Sequence, residues 1–195
     1  MSPSQQLKNS EFHLKPAEIK KVIYSPTLTF RDRCILKTLA LTAMRRAELA
    51  ALDIRDVDLG KCLIHIRDGK GGKSRIVPVT DDLASDLKHL FQHRKTGPVF
   101  LSQRGSYLTP RQINWIVARA GKLAGVEHPN PNYDHLTCHL FRHSFAREWK
   151  KRGGSIESLS KILGHTSVKT TLDVYGTETL QDVQENYKQL VKDLL

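Results

Sequence analysis

Acidic residues are in short supply in this 195-residue chain, with 20 Asp and Glu against 31 Lys and Arg and a formal charge of +11. That imbalance points to a polyanionic partner. Nucleic acid ranks ahead of a membrane surface, because no Lys/Arg-rich amphipathic helix is evident. Long apolar runs are also missing. Nothing approaches the ~18 residues of a membrane span, and the N-terminus MSPSQQLKNSEFHLK has no apolar segment of the signal-peptide kind, so the expectation is no membrane partner and a cytoplasmic, DNA-associated location. Cysteine is scarce: Cys34, Cys62 and Cys138 are odd in number, far apart and free of C-x-x-C spacing, which predicts free, mostly buried thiols in a reducing compartment. Motifs for metal or nucleotide chemistry are lacking as well, with no G-x-x-x-x-G-K-[ST] loop, no H-E-x-x-H and no cysteine cluster. GKGGK joins two strands rather than opening a helix. His139 and His143 stand at i, i+4 without a third ligand at recognisable spacing. Neither a metal nor a cofactor is expected.

What remains is the composition of an ordinary globular protein, 39% hydrophobic and 26% charged, long enough to bury roughly 70% of its unfolded surface. The first thirteen residues are polar and expected to be flexible. From residue 14 the pattern is mainly helical: KPAEIKKVI with Pro16 in its first turn, then TFRDRCILKTLALTAM with an apolar face of Phe30, Cys34, Leu36, Leu39 and Leu41, then the short AELAALD. The period changes at CLIHIRD and SRIVPVT, two strands flanking GKGGK as a hairpin, with Asp53 to Leu59 as a third strand. Thr80 and Thr109 are expected N-caps, the second helix closing near Gly125. A loop follows, EHPNPNYDH. The remaining helices are expected at TCHLFRHSFAREWKK, closed by Gly153, at Ile156 to Leu163, at Val168 to Leu172, and as an amphipathic C-terminal helix at about 178–195. The fold class is mainly α with a small antiparallel β-sheet (α+β), in one domain over residues 14–195.

The candidate chemistry lies in residues suited to phosphate. Arg45 in TAMRRAEL, Lys70 in GKGGK, His139 and Arg142 in HLFRH, and His165 in LGH precede Tyr175 in LGHTSVKTTLDVYG. Guanidiniums offer paired donors to phosphate oxygens and stay charged at any working pH. His139 and Arg142, at i and i+3, project from one helix face. A tyrosine is a nucleophile that needs no metal. With an ordinary pKa near 10, about one phenol in a thousand is ionised at pH 7, a deficit of roughly 4 kcal/mol, which two arginines and a base could largely offset. Taken singly, each has a plainer reading: Arg45 beside Glu48 as a helix-surface ion pair, GKGGK as a solvated turn, Tyr175 as a half-buried aromatic.

In their order, Arg, Lys, His-x-x-Arg, His, Tyr, the sequence resembles the tyrosine recombinase (phage integrase) family over nearly its whole length, in the part corresponding to that family's catalytic domain. TAMRRAELAALDIRDVDL resembles the first arginine box, GKGGKSRIVPV the lysine hairpin, HLFRHSFA the second box and LGHTSVKTTLDVYG the third. Ala43 departs from the family's usual glycine, which puts local packing in question. The helical core-binding domain that precedes the catalytic domain in most relatives has no counterpart here, as in an excised fragment or a minimal recombinase resembling the fimbrial-switch invertases.

The resemblance implies a site-specific recombinase acting on double-stranded DNA without metal or ATP, through a 3′-phosphotyrosine. In that scheme Tyr175 attacks, Arg45 and Arg142 hold the non-bridging oxygens, and His165 is a further donor to them. His139 is general base and acid for the tyrosine proton, and Lys70 protonates the leaving oxygen. It also implies a homotetramer on DNA that is weakly associated or monomeric without it. Lys73, Arg75, Arg104, Arg111 and Arg119 are candidate DNA phosphate contacts. The rival readings are a type IB topoisomerase and a non-catalytic DNA-binding protein on the same fold.

Overall fold

Side-chain oxygens at Thr29, Thr80, Thr109, Thr137 and Ser155 each accept the backbone N–H three residues on, and these caps fix where five helices begin. They are seen in a computed structural model of the chain that describes residues 12–67, 74–165 and 167–176. In chain order the helices are α1 Pro16–Ile23, α2 Phe30–Thr42, α3 Arg46–Ala50, α4 Asp81–Phe91, α5 Pro110–Ala124, α6 Cys138–Lys151, α7 Ile156–Leu163 and α8 Val168–Tyr175. The chain is anchored from Leu14, which is buried and donates its N–H to Ser144 Oγ at 2.9 Å.

Helix α2 is the axis of the molecule. Cys34, Ile35, Leu36, Lys37, Thr38 and Leu39 are buried in succession, because α1, α4, α5 and α6 all pack around it. The expected broad apolar face is buried at Cys34, Leu36 and Leu39, while Phe30 is 38% exposed and Leu41 partly covered, and burial extends round to Ile35, Lys37 and Thr38 because neighbours surround the helix. Its buried polar groups are satisfied locally. The hydroxyls of Thr38 and Thr42 donate to the carbonyls four residues back, and the Lys37 ammonium pairs with Asp82 and Asp86 of α4.

Three antiparallel strands form the sheet in the order β1 Val57–Asp58, β2 Leu63–Ile66, β3 Arg75–Pro78. Ile64 pairs with Val77 and Ile66 with Arg75, so alternation puts Ile64, Ile66 and Val77 into the core while His65 and Ile76 face outward. The expected third strand is mostly a single 3₁₀ turn, Ile54–Asp56, feeding the two residues of β1. The hairpin tip that carries Lys70 and Lys73 lies outside the described residues, as does the expected C-terminal helix at 178–195. All three thiols are free, with Cys34 and Cys138 buried and pushed up to about 12 by that burial.

A small second core lies beside the main one, formed by Ala43, Ala146, Leu159, Leu163 and Tyr175. It ties the end of α2 to α6, α7 and α8. It also accounts for one correction. Helix α8 runs three residues past the expected Leu172, so Tyr175 is its last residue and Gly176 continues in right-handed backbone at φ −76°. Burial of the Tyr175 ring supplies the packing that extends the helix.

Candidate active site

Helix α2 ends at Ala43, whose backbone is left-handed at φ 52°. That conformation is where glycine is at ease and alanine is strained by about 1–2 kcal/mol, so the departure at this position concerns backbone geometry more than packing. The turn exposes the Ala43 carbonyl to Arg142 Nη1 at 2.7 Å, while Arg142 Nη2 donates to the carbonyl of Leu163, the last residue of α7, also at 2.7 Å. One guanidinium thus satisfies the unpaired carbonyls of two helix C-termini, where the backbone dipoles favour a cation. Arg142 is only 5% exposed, and burial, with Arg45 nearby, pushes its pKa down to about 10.

Arg45 caps the start of α3 and is held by Glu48, three residues on. The Glu48 carboxylate accepts the Arg45 backbone N–H at 2.7 Å and its Nη1 at 2.9 Å. The same carboxylate accepts two parallel bonds from Arg75 of β3, at 2.8 and 2.7 Å, and Arg75 Nε donates to the Ile162 carbonyl at 2.7 Å. With its side chain 7% exposed, Arg75 is a brace between sheet, α3 and α7. The arginines outweigh the buried resistance of the carboxyl to ionise, and hold Glu48 down at about 2. Arg45, Arg75 and Arg142 are thus balanced by one carboxylate, leaving excess positive charge for an anion.

His165 follows the C-cap of α7. Its Nε2 lies 3.2 Å from Arg142 Nη2 and its Nδ1 2.9 Å from Thr171 Oγ1 on α8. A guanidinium can only donate, so Nε2 is the accepting nitrogen and, in the neutral ring, Nδ1 carries the hydrogen to Thr171. Burial and the cations of Arg142, Arg45 and Arg75 lower its pKa to about 4. In this arrangement His165 accepts from Arg142 through Nε2 and donates to Thr171 through Nδ1.

Tyr175 is 3% exposed. Burial raises its pKa, against the lowering effect of Arg142 and Arg147. Its hydroxyl meets Nδ1 of His143 at 3.2 Å, with ring centroids 5.3 Å apart. His139, expected as its base, stands one turn earlier, its ring nearly parallel to that of His143 at 6.4 Å between centroids. His139 reaches solvent, yet the protein around its ring, then Arg142 and Arg45, lowers its pKa and keeps it neutral at pH 7. His143 is the residue touching Tyr175 that the boxes passed over. Its spacing, i+4 from His139 and next to Arg142, already placed it on their helix face, but only as an incomplete metal pair.

These groups line one crevice of about 720 Å³. Arg45, His139, Arg142, His143, His165 and Tyr175 surround it, with Asn130 and Tyr133 from the loop before α6. The remaining candidates lie elsewhere. Arg111 and Arg119 border a second crevice, of about 1500 Å³, along α5, where Arg119 lies 5.7 Å over the ring of the exposed Trp115 and 3.8 Å from Asp32. Arg104 is exposed in a turn between Ser102 and Ser106.

A model of the phage integrase family matches residues 13–181. The chain belongs to that family. Among family members, tyrosine recombinase XerA of Pyrococcus horikoshii is 30% identical, the match covering 94% of this chain and 65% of that protein. Tyrosine recombinase XerC of Pelobacter propionicus is 32% identical, over 90% of this chain and 58% of its own length. The crystal structure of XerA recombinase superposes with a TM-score of 0.76 at 31% identity, over 91% of this chain and 64% of that one. XerH site-specific recombinase bound to its difH substrate, in a pre-cleavage complex, gives 0.70 at 29%, over 90% and 53%. The integrase-family chain described here therefore spans under two thirds of the length of these relatives. The mainly helical fold with its small antiparallel sheet is the one those structures share.

Proposed function

We propose that this chain is the catalytic unit, over residues 14–195, of a site-specific recombinase that cleaves and rejoins double-stranded DNA through Tyr175. The observation that carries this reading is the enclosure of the Tyr175 hydroxyl in the same crevice as Arg45, Arg142 and two neutral histidines. In the proposed reaction Arg45 and Arg142 bind the non-bridging oxygens of the scissile phosphate and neutralise the charge that grows there. His165 keeps Arg142 aligned, and neutral His139 faces the same phosphate from one turn away. The Tyr175 oxygen bonds to phosphorus, the bond to the 5′ oxygen breaks, and Lys70 protonates that oxygen. Reversal of these steps by a different 5′-hydroxyl completes strand exchange, with four copies acting on two DNA sites. The XerH complex with its difH substrate supports DNA as the partner.

The test is a covalent trap. A pool of nicked duplexes with a randomised core is incubated with the chain in EDTA, so that a cleaved end diffuses away and leaves protein on DNA. The parent is expected to form adducts of recoverable sequence and Tyr175→Phe none, with duplex binding by both. Equal binding without any adduct from the parent would favour a non-catalytic DNA-binding protein. Relaxation of supercoiled DNA lacking the recovered sequence would favour the topoisomerase reading.

A further inference from the structure

We propose that His143 is a catalytic residue, the group that orients the Tyr175 hydroxyl and accepts its proton during attack. The proposal deepens the reading above and rests on it. Among the described residues around Tyr175, His143 is the one whose ring nitrogen lies at hydrogen-bond distance from the hydroxyl, 3.2 Å at Nδ1. The pair is enclosed: Tyr175 is 3% and His143 7% exposed. A phenol whose oxygen lies 3.2 Å from an imidazole nitrogen has a direct route for its proton to that ring.

Helix geometry makes the placement firm. His139, Arg142, His143 and Ala146 fall at i, i+3, i+4 and i+7, one face of α6. Ala146 packs in the small core with Tyr175 itself, so the contact that seats the tyrosine ring also sets its oxygen against the histidine. The chemistry fits that seat. Burial raises the phenol pKa, so free phenolate is rarer than in water and attack needs a base in contact with the oxygen, a device typically worth 10²–10⁴ in rate.

The step balances without a co-reactant. As the Tyr175 oxygen bonds to phosphorus, its proton passes to His143 Nδ1, giving an imidazolium. The phosphorus bond to the 5′ oxygen breaks, and that oxygen is protonated by the general acid proposed above. In rejoining, the tyrosine oxygen is the leaving group and His143 returns the proton. His139, one turn earlier with its ring centroid 6.4 Å from that of His143, is thereby left to the phosphate.

Two measurements test this. The first uses duplexes recovered by the covalent trap, made with either the ordinary 5′ oxygen or a bridging 5′ sulfur at the cleavage point. A thiolate leaves without needing a proton, so a defect in leaving-group protonation is relieved by sulfur while a defect in tyrosine activation is not. His143→Ala is expected to slow single-turnover cleavage about 100-fold or more on both duplexes, with duplex affinity unchanged. His143→Asn, whose side-chain oxygen can accept the hydrogen bond but not keep the proton, falls between it and the parent. Cleavage by His143→Ala within about threefold of the parent, or its full relief by sulfur, overturns the proposal.

The second measurement needs neither DNA nor a His143 variant. Ring-nitrogen NMR shifts of the parent and of Tyr175→Phe are compared, and loss of the hydroxyl is expected to move Nδ1 of His143 more than either nitrogen of His139. An unmoved His143 overturns the proposal even where His143→Ala does not fold. Absence of adducts from the parent, by contrast, removes the reading in the preceding section.

Discussion

His165 shows how one side chain's charge state follows from its partners. Its lone pair faces a guanidinium and its N–H faces Thr171, so a second proton has no place in the folded arrangement. The folded pKa of about 4 lies below the ordinary 6.5, which means that between those values the unfolded chain binds the proton that the folded chain refuses. The stability from this difference is complete above pH 6.5 and is lost as pH falls toward 4, with at most about 3 kcal/mol at stake. His139 is shifted in the same direction. Urea unfolding is therefore expected to report a chain about 2 kcal/mol less stable at pH 5 than at pH 7. His165→Asn should flatten part of that slope, and an unchanged slope would count against the neutral ring. Position alone singled out His165. The direction of its two hydrogen bonds was not legible, because Thr171 and Arg142 reach it from two other helices.

Element ends carry this site, and their signals in the sequence were strong. Thr80, Thr109 and Gly125 mark helix termini at the expected places, since caps are local chemistry that the chain writes out residue by residue. What a terminus presents to its neighbours is a different matter. Gly164 closes α7 at φ 64°, and a Cβ there would stand 2.9 Å from both Cδ and Nη1 of Arg75, the arginine that braces Glu48. Gly164→Ala is expected to add the left-handed backbone cost of about 1–2 kcal/mol to a loosened Arg75–Glu48 pair, for a total of about 2–4 kcal/mol. Gly105 is also left-handed, at φ 73°, but a Cβ would meet nothing within 4 Å. Gly105→Ala is thus the control, at about 1 kcal/mol. Equal melting temperatures for the two variants would show that the brace contributes nothing.

At the scale of the whole molecule the charge of +11 is a statement about association. Binding to duplex DNA that neutralises about four phosphates should weaken roughly 100-fold between 50 and 200 mM salt, with a linear log–log slope near −3.6. A flat dependence measured by fluorescence anisotropy would remove DNA as the polyanion. The sequence by itself pointed to the helical domain with its small sheet and to the basic character, and its boxes marked six candidate residues, of which five line one crevice while Lys70 lies outside the described residues. Periodicity, caps and charge are properties of neighbours along the chain, and the boxes keep their order there. Only the tertiary structure decided that Arg75 braces Glu48, that Arg142 joins the ends of two helices, that His165 accepts from Arg142, and that His143 is the nitrogen touching Tyr175. Each of these pairs residues separated by between 21 and 99 positions. Such contacts arise when the helices and the sheet pack on shared apolar cores, and no local signal in the chain specifies which polar atoms that packing brings together.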